Sequence, residues 1–335
     1  MPVAEAIGAI AAHGMRVGTD ALRKGEAITP AIAEALAAAG IATVVAVRLE
    51  PGDVGEDEAA HALARAVAGP GITVERPFTG RANLFSAADG ILVLRPDAID
   101  RLNAADEAIT LATLPAWKPV VAGEMVATVK IIPYAVPGAA LEAALASAGG
   151  EPLVGVAPYR LTRIGVVSTV TPGLKPSVVA KTISVLGRRL APAGAAVVAE
   201  ATCPHDEAAL AEALAEVARS AVELVVVFGA SAIADRRDVI PAAIEHAGGR
   251  IEHLGMPVDP GNLLLVGELD GRPVIGAPGC ARSPKENGFD WVLSRLLAGL
   301  PVRRADITRM GVGGLLMEIG ARGQPRAGRS PDEGE

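Results

Sequence analysis

The second half of the chain shows a regular alternation of hydrophobic and polar patterns. Short apolar runs alternate with longer amphipathic stretches, in the order 163–168, 176–190, 195–201, 206–219, 223–228 and 239–247. The short runs predict buried strands and the longer stretches predict helices, with Asp206 as the N-cap of the middle helix. This alternation favours βαβ units and a parallel sheet, whose ligands bind beyond the carboxyl ends of the strands.

The first half of the chain has a less regular pattern. Thr29 followed by Pro30 predicts the start of a helix, and Gly40 predicts its end. Further elements are predicted as a helix at 56–68 and short strands at 44–48, 90–94, 108–112 and 125–132. This mixture indicates separate α+β pieces rather than one wound sheet.

Composition narrows the classes of protein that fit these patterns. A chain of 335 residues is long enough for two or three domains. Half of its residues are hydrophobic but only 2% are aromatic, so Ala, Val, Leu and Ile must build the core. The net charge of −7 argues against a broad nucleic-acid surface, although a local basic pocket stays open.

Cysteine spacing and hydropathy give further expectations. Cys203 and Cys280 lie far apart, and the five histidines are scattered, so neither a disulfide framework nor a zinc or iron–sulfur site is favoured. No run approaches the roughly 18 apolar residues of a membrane span, and residues 1–14 lack a signal-peptide pattern. We expect a cytoplasmic protein without membrane contact, with a disordered tail from about Gly320.

Two loops after predicted strands carry candidate binding residues. The first contains Ser168, Thr169 and Lys175 ahead of a helix, which suits a phosphate or carboxylate or, equally, a capped turn. The second, at 229–238, begins with Gly229, Ala230 and Ser231, small residues that allow a ligand to approach the backbone. Its last residue, Asp238, is either a magnesium ligand or the N-cap of the next helix, and both roles are compatible.

A third loop follows a predicted hairpin whose turn contains Asp270 and Gly271. This loop, at 276–288, is rich in Gly, Pro and small polar residues, and its candidate binding residues are Pro278, Gly279, Ser283 and Lys285. Exposed backbone N–H groups and the start of the next helix favour an anionic ligand. Cys280 is a weak candidate nucleophile, because no histidine lies nearby in sequence to activate it.

Several of these motifs resemble those of molybdenum-cofactor biosynthesis proteins. Residues 223–300 resemble the molybdopterin-binding fold that molybdopterin adenylyltransferases and molybdenumtransferases share: a strand, a Gly-rich loop ending in Asp238, then a Pro-Gly loop after a hairpin. In the first half, SAADGILV at residues 86–93 resembles the molybdenumtransferase signature S-A-M-D-G-Y-A-V, which places Asp89 at its Asp. Taken without the resemblance, Asp89 and Gly90 are a turn that enters a strand.

The resemblance implies a fold, a ligand and a set of roles. The fold is α/β, a three-layer parallel or mixed sheet domain at 161–305, preceded by a smaller α+β region at 1–160 and followed by a C-terminal segment at 306–335. The ligand is molybdopterin or the molybdenum cofactor, with Mg²⁺ at Asp238, and Asp238 and Asp89 are the catalytic candidates of a transferase. The family also implies a homodimer in which Asp89 of one subunit faces the pterin pocket of the other. The implied pocket residues are Ser168, Thr169, Lys175, Gly229, Ala230, Ser231, Pro278, Gly279, Ser283 and Lys285.

Departures from the family pattern keep other functions open. Ala230 and Ser231 follow Gly229 where the family has a second glycine, and Val170 and Thr171 stand where it has an acidic pair. Fewer carboxylates favour a non-catalytic carrier or scaffold that presents the cofactor to a nucleotidyltransferase or a molybdoenzyme. A weaker alternative is hydrolysis of a nucleotide-linked metabolite, as in relatives that share the fold.

Overall fold

In the computed structural model, which describes residues 1–17 and 20–316, the chain divides into two units, Met1–Pro158 and Tyr159–Glu335. The tail expected from about Gly320 lies outside the described residues.

The first unit contains short strands and helices, and its described strands form one four-stranded sheet, one three-stranded sheet and three two-stranded pairs. Its strands are β1 (Ile10–Ala11), β2 (Met15–Val17), β3 (Asp20–Leu22), β4 (Ala46–Val47), β5 (Asp53–Gly55), β6 (Ile72–Val74), β7 (Arg81–Ser86), β8 (Gly90–Leu94), β9 (Ile109–Thr113), β10 (Pro119–Val120), β11 (Met125–Ile131), β12 (Ala135–Pro137) and β13 (Val154–Pro158). Its helices are α1 (Pro30–Ala38), α2 (Glu56–Val67), α3 (Pro96–Asn103) and α4 (Gly138–Ser147). The order β6-β7-β11-β9 is antiparallel throughout, and β8 lies between β10 and β13.

The core of the first unit explains why these pieces fold as α+β. Helix α2 buries Leu63 and Val67 against alternate residues of β7 and β11, such as Leu84 and Val129. A separate small core around Ile28 and Leu36 holds α1. The Thr29 hydroxyl accepts the Ile32 N–H at 3.3 Å, as expected for the N-cap of that helix. The predicted strand at 44–48 is shorter than expected, because only Ala46 and Val47 pair with β1.

The second unit is a wound α/β domain. Its elements are β14 (Arg163–Val170), α5 (Pro176–Leu190), β15 (Ala196–Pro204), α6 (Glu207–Arg219), β16 (Leu224–Phe228), α7 (Val239–His246), β17 (Arg250–Leu254), β18 (Leu265–Leu269), β19 (Arg272–Ala277), α8 (Gly288–Leu297) and α9 (Arg304–Thr308). The sheet order is β15-β14-β16-β19-β18-β17. The first four strands are parallel, and β18 runs antiparallel to both of its neighbours, β19 and β17, so the sheet is mixed.

Side chains of the buried strands alternate between the two faces of the sheet, and helices cover both faces, so the second unit has three layers. In β16, Val226 and Phe228 face a core shared with Phe289 and its neighbours in α8 and with the last turns of α5. Val225 and Val227 face the opposite core, which α6 and α7 cover. A central strand buried on both faces needs an apolar residue at every position, which is the pattern of residues 224–228. The three-layer α/β architecture is thus confirmed.

Two strands of this sheet extend further than predicted. Strand β14 continues to Val170 and β15 to Pro204, because their parallel pairing runs on through Thr169 opposite Cys203 and Val170 opposite Pro204. Ser168 and Thr169 are therefore strand residues rather than loop residues. The helix α5 has the bounds expected from the sequence, and Asp206 caps α6 through its side chain, which accepts the Ala209 N–H at 3.1 Å.

Candidate functional site

The predicted loops meet at the carboxyl end of the sheet in the second unit. Phe228 of β16 pairs with Ala277 of β19 and with Ser168 of β14, so β16 and β19 end at the same level and β14 continues two residues further, to Val170. The residues that follow them are therefore neighbours in space. We call the ends of these strands, with the loops at 171–175, 229–238 and 278–287, the carboxyl edge. An apolar cavity of about 530 Å³ lies beside the first of these loops, lined by residues of α5 and β15.

A hydrogen-bonded chain of side chains joins the first two strands of the carboxyl edge. Thr169, which is only 1% exposed, accepts the Ala230 N–H at 2.8 Å through its hydroxyl. The same hydroxyl lies 2.8 Å from His205 Nδ1, and His205 Nε2 lies 2.7 Å from the Ser231 hydroxyl. Thr169 and Ser231, both predicted pocket residues, are thus connected through one imidazole ring.

Asp238 holds the second loop closed upon itself. Its Oδ2 accepts the N–H groups of Ala234 at 2.6 Å and Asp235 at 2.9 Å. It occupies the N-cap position of α7 but makes no side-chain hydrogen bond to that helix, so the capping role is absent. Asp235 pairs with Arg237 in the same loop, and this contact lowers the pKa of the Asp235 carboxyl. The carboxylates of this loop are therefore already engaged with N–H donors.

Arg189 fixes the third loop from the last turn of α5. Its guanidinium pairs with Asp290 at 2.5 Å and lies 5.7 Å from the centre of the Phe289 ring. The remaining N–H groups donate to backbone carbonyls of the loop, namely those of Ala281, Ser283 and Lys285. One largely buried cation therefore fixes the path of the loop over several residues.

The start of α8 adds a second restraint to the third loop. Asn287 and Asp290 form a capping box. The Asn287 side chain accepts a backbone N–H of the first helical turn, and the Asp290 side chain accepts the Asn287 N–H. The Asn287 amide also donates to the carbonyls of Cys280 and Lys285. The loop is therefore held by side chains at both of its ends.

Arg282 connects the third loop with the second. Its Nη2 donates to the Gly229 carbonyl at 2.8 Å, and its guanidinium lies 5.6 Å from the centre of the Phe228 ring. Burial lowers the pKa of this guanidinium from its usual value, which is so high that the group stays charged. At Gly229 itself a Cβ would lie 2.7 Å from Ile240 Cδ1 and 2.8 Å from the Ser231 carbonyl, so the position requires glycine.

Two of the other predicted pocket residues, Ser168 and Pro278, are buried, whereas the residues Lys175, Gly279, Ser283 and Lys285 are exposed or partly exposed. Lys175 occupies the N-cap position of α5 with its side chain in solvent, and Lys285 is also exposed. The Ser283 hydroxyl accepts the Lys285 N–H at 3.3 Å. Pro278 and Gly279 begin a single 3₁₀ turn, and space is open on the side of Gly279 where a Cβ would stand.

The two cysteines do not have the properties of nucleophiles. Both thiols are free, and burial is the main cause that raises the pKa of Cys203 and of Cys280. A nucleophilic thiol needs a lowered pKa, because the thiolate is the reactive form. The geometry therefore agrees with the expectation from the sequence that Cys280 is a weak candidate nucleophile.

Asp89 lies in the first unit at the bend between β7 and β8. It is exposed, and its Oδ1 accepts the Ala122 N–H at 2.8 Å. The preceding Ser86 is buried and donates to the Ala88 carbonyl at 2.5 Å. The turn expected from residue composition is therefore present, and the catalytic role that the resemblance implies for Asp89 stays a prediction.

Sequence reasoning missed His205, Arg189 and Arg282. His205 directly follows β15, so the rule that strand ends carry function could have identified it. Arg189 and Arg282 gave no such signal, because their partners lie 53 to 101 residues away in sequence. Among the described residues, no cluster of three or more His, Cys, Asp or Glu side chains could hold a metal ion.

A family comparison decides what kind of domain carries this site. Residues 165–301 match the model of the family described as "Probable molybdopterin binding domain". The segment is therefore similar to this family. The resemblance to molybdenum-cofactor biosynthesis proteins is thereby confirmed for the part of the chain that contains the three loops.

Comparisons with other proteins give weaker likenesses. The molybdopterin biosynthesis moeA protein from Pyrococcus horikosii is 16% identical, with a TM-score of 0.31, over 73% of this chain and 79% of that one. The structure of molybdenum cofactor biosynthesis protein B is also 16% identical, with a TM-score of 0.31, over 42% of this chain and 95% of that one. No curated protein matches the chain. Within the described residues, no helix is both long and apolar enough to cross a bilayer.

Proposed function

We propose that residues 165–301 bind molybdopterin or the molybdenum cofactor at the carboxyl edge, and that the chain acts in the biosynthesis or handling of this cofactor. The observation that carries the proposal is the meeting of three small-residue loops at adjacent strand ends, within the segment that matches the molybdopterin-binding family. Ligands of open α/β sheets bind at this end of the strands.

The second loop supplies donors for the phosphate of molybdopterin. Within the described residues, the N–H groups of Ser231 and Ala232 donate to no protein acceptor. The Ser231 hydroxyl is exposed beside them, and Lys175 lies at the start of α5. Backbone N–H groups at a small-residue loop form a favourable site for an anion. The 530 Å³ apolar cavity beside the first loop has the size expected of a small-molecule site.

Calorimetric titration of the purified protein with molybdopterin, and separately with the molybdenum-loaded cofactor, tests this proposal. Saturable binding of either ligand supports it, and a preference between them places the protein before or after metal insertion. If neither ligand binds, the proposal fails, and hydrolysis of nucleotide-linked metabolites such as ADP-ribose becomes the function to test.

Transfer of a nucleotidyl group or insertion of molybdate is the catalytic form of this function. In it, Asp238 and Asp89 are the candidate catalytic residues, with Asp89 contributed by the second subunit of a homodimer. Asp238→Asn would then abolish turnover while the protein still binds the pterin. Unchanged turnover in that variant would remove Asp238 from the mechanism, and sedimentation velocity would show whether the dimer exists.

A magnesium ion is a poor fit to the side chains of the second loop. Asp238 Oδ2 already accepts two N–H groups, and Asp235 pairs with Arg237. Mg²⁺ is usually held by one or two carboxylates together with substrate phosphates and water. We therefore expect the affinity for molybdopterin to be the same within about twofold with and without magnesium, and a much larger magnesium effect would contradict this.

The engaged carboxylate of Asp238 favours a second candidate, a carrier or scaffold that holds the cofactor without transforming it. In this form the protein presents the pterin to a nucleotidyltransferase or a molybdoenzyme. Binding of molybdopterin without adenylate or molybdate turnover would select it. Turnover that is lost in Asp238→Asn would exclude it.

A further inference from the structure

The hydrogen-bonded chain from Thr169 through His205 to Ser231 has a direction that the proton positions determine. Its first oxygen, Thr169 Oγ1, has one hydrogen atom and two lone pairs. One lone pair accepts the Ala230 N–H at 2.8 Å. Among the described residues, the other group within hydrogen-bond distance of this oxygen is His205 Nδ1, at 2.8 Å.

Burial of Thr169 selects one of the two imidazole tautomers. If Nδ1 carried the proton, Thr169 Oγ1 would accept two N–H groups and its own hydrogen would have no acceptor. Thr169 is 1% exposed, and a buried donor without an acceptor costs more free energy than the hydrogen bond itself contributes. The Thr169 hydroxyl therefore donates to an unprotonated Nδ1, and the uncharged ring carries its proton on Nε2.

The direction of the chain then fixes what Ser231 can do. His205 Nε2–H donates to the Ser231 oxygen at 2.7 Å, so the hydrogen of this exposed hydroxyl is directed away from the ring. A serine nucleophile needs the opposite arrangement, in which an unprotonated nitrogen takes the hydroxyl proton. Ser231 is therefore a hydrogen-bond donor rather than an activated nucleophile.

We propose that His205 is a positioning residue that orients the Ser231 hydroxyl as a donor to a phosphate monoester of the ligand, an inference that rests on the proposed function. The hydroxyl of Thr169, the Nε2–H of His205 and the hydroxyl of Ser231 all donate in the same direction, toward the anion. Hydrogen bonds aligned in this way polarise one another and strengthen the last donor. The N–H groups of Ser231 and Ala232 lie in the same loop as this donor.

The tautomer can be read by ¹⁵N NMR of the ligand-free protein at pH 8, where an unperturbed imidazole is uncharged. His205 is expected as the Nε2–H form. His246 is a matched internal control, because its Nδ1 lies 3.0 Å from Glu207 Oε1, an acceptor, and so is expected to carry the proton. Thr169→Val should remove the preference at His205 and leave that at His246 unchanged. An Nδ1–H form of His205 in the wild-type protein would overturn the proposal.

The ligand contact is tested by titrating the protein with molybdopterin and with the same pterin after phosphatase treatment. Ser231→Ala is expected to weaken binding of the phosphorylated ligand by roughly tenfold to a hundredfold, the range for a hydrogen bond to a charged group. His205→Ala should cause a similar loss, and His205→Gln, whose amide can still donate to Ser231, should restore part of it. The dephosphorylated pterin should bind the wild-type protein and these variants alike, and His246→Gln should match the wild-type protein throughout.

Failure of this inference differs from failure of the proposed function. If the wild-type protein binds molybdopterin but Ser231→Ala weakens both ligands equally, the phosphate contact is wrong and the pterin site stands. If the wild-type protein binds neither ligand, both proposals fail, whatever the NMR result for His205.

Discussion

The two ends of the sheet in the second unit differ in whether their polar groups are already paired. At the amino end, Glu223 accepts the N–H groups of Thr162 at 2.7 Å and Arg163 at 2.9 Å, and Arg250 lies between two glutamates. At the carboxyl edge, the N–H groups of Ser231 and Ala232 have no acceptor within the described part of the protein. These polar groups at the amino end are therefore paired with one another, whereas the carboxyl edge keeps N–H donors for a ligand.

Cavity volume does not distinguish the two ends. A cavity of about 420 Å³ lies at the amino end, and one of about 530 Å³ lies beside the first loop of the carboxyl edge. The amino-end cavity is lined by the ion-paired Arg250, Glu252 and Glu268, which have little to gain from an added anion. The comparison teaches that unpaired donors, rather than empty volume, indicate where an anionic ligand binds. Four substitutions test this difference.

Arg189→Ala should have the largest effect, because it removes the side chain that shapes the carboxyl edge. It leaves Asp290 and the carbonyls of the third loop without their main donor. Removal of one partner of a fully buried ion pair costs about 3 kcal/mol or more, and this pair is partly buried, so we expect a loss of about 2 kcal/mol. Urea unfolding should show this loss, whereas Arg188→Ala, next to it on the exposed face of α5, should change stability by less than about 0.5 kcal/mol. Equal effects of the two variants would refute the role of Arg189.

Arg282→Ala should come next, because it separates the second loop from the third. The Gly229 carbonyl loses its 2.8 Å donor, and the contact with the Phe228 ring is lost. We expect a destabilisation of about 1–2 kcal/mol and weaker binding of molybdopterin. Arg219→Ala, at the exposed end of α6, is the control for removing a positive charge. Normal affinity in Arg282→Ala would show that the two loops need no such connection.

Lys175→Ala should affect binding without affecting stability. Lys175 is exposed at the start of α5 and caps nothing, so its loss should cost the fold less than about 0.5 kcal/mol. A cation near a bound phosphate is worth about 1 kcal/mol at a solvated site, which corresponds to roughly fivefold in affinity. Lys181→Ala, further along the same helix, should bind like the wild-type protein, and calorimetry compares the two. If both variants bind normally, the phosphate lies elsewhere.

Glu223→Gln should have the smallest effect, and its effect should depend on pH. The N–H groups of Thr162 and Arg163 lower the pKa of the Glu223 carboxyl in the folded protein. The stabilisation is therefore complete above the unfolded pKa of about 4.3 and is lost as pH falls through the lower folded value. Thermal unfolding should show Glu223→Gln less stable than the wild-type protein by about 1 kcal/mol at pH 7, and the gap should close on acidification.

Two control measurements accompany the Glu223 substitution. Glu216→Gln, on the exposed face of α6, should show no such gap at either pH. Molybdopterin affinity should be unchanged in Glu223→Gln, because the amino end is not the binding end. A pH-independent difference between Glu223→Gln and the wild-type protein would contradict the assigned hydrogen bonds.

Local signals were sufficient to predict the helices and buried strands of the second unit. The apolar run at 224–228 predicts a buried strand, and Asp206 predicts the start of a helix. Both signals involve only residues close in sequence, so both elements could be predicted from the chain alone. The position of the site followed from the rule about strand ends. Its internal geometry could not be predicted, because Arg189 sits in an amphipathic helix, where a charged residue ordinarily faces solvent. Only the folded chain shows that it reaches residues 281–290.

Asp238 illustrates the limit of interpreting a motif without its contacts. The sequence placed a carboxylate at the end of a glycine-containing loop, which is equally suited to a metal ion and to an N-cap. The structure shows a different local use, in which the carboxylate binds the Ala234 and Asp235 amides of its own loop. The role that Asp238 takes depends on the backbone path of its loop. Small residues such as Ala230 and Ala232 do not determine that path.

Amide chemical-shift mapping with molybdopterin tests most directly which end of the sheet binds the ligand. The account predicts that saturating molybdopterin shifts the amide signals of Ser231, Ala232 and Gly279 at the carboxyl edge and leaves those of Gly267 and Gly271 beside the amino-end cavity unchanged. Shifts confined to Gly267 and Gly271, or no shift at either end, would contradict it.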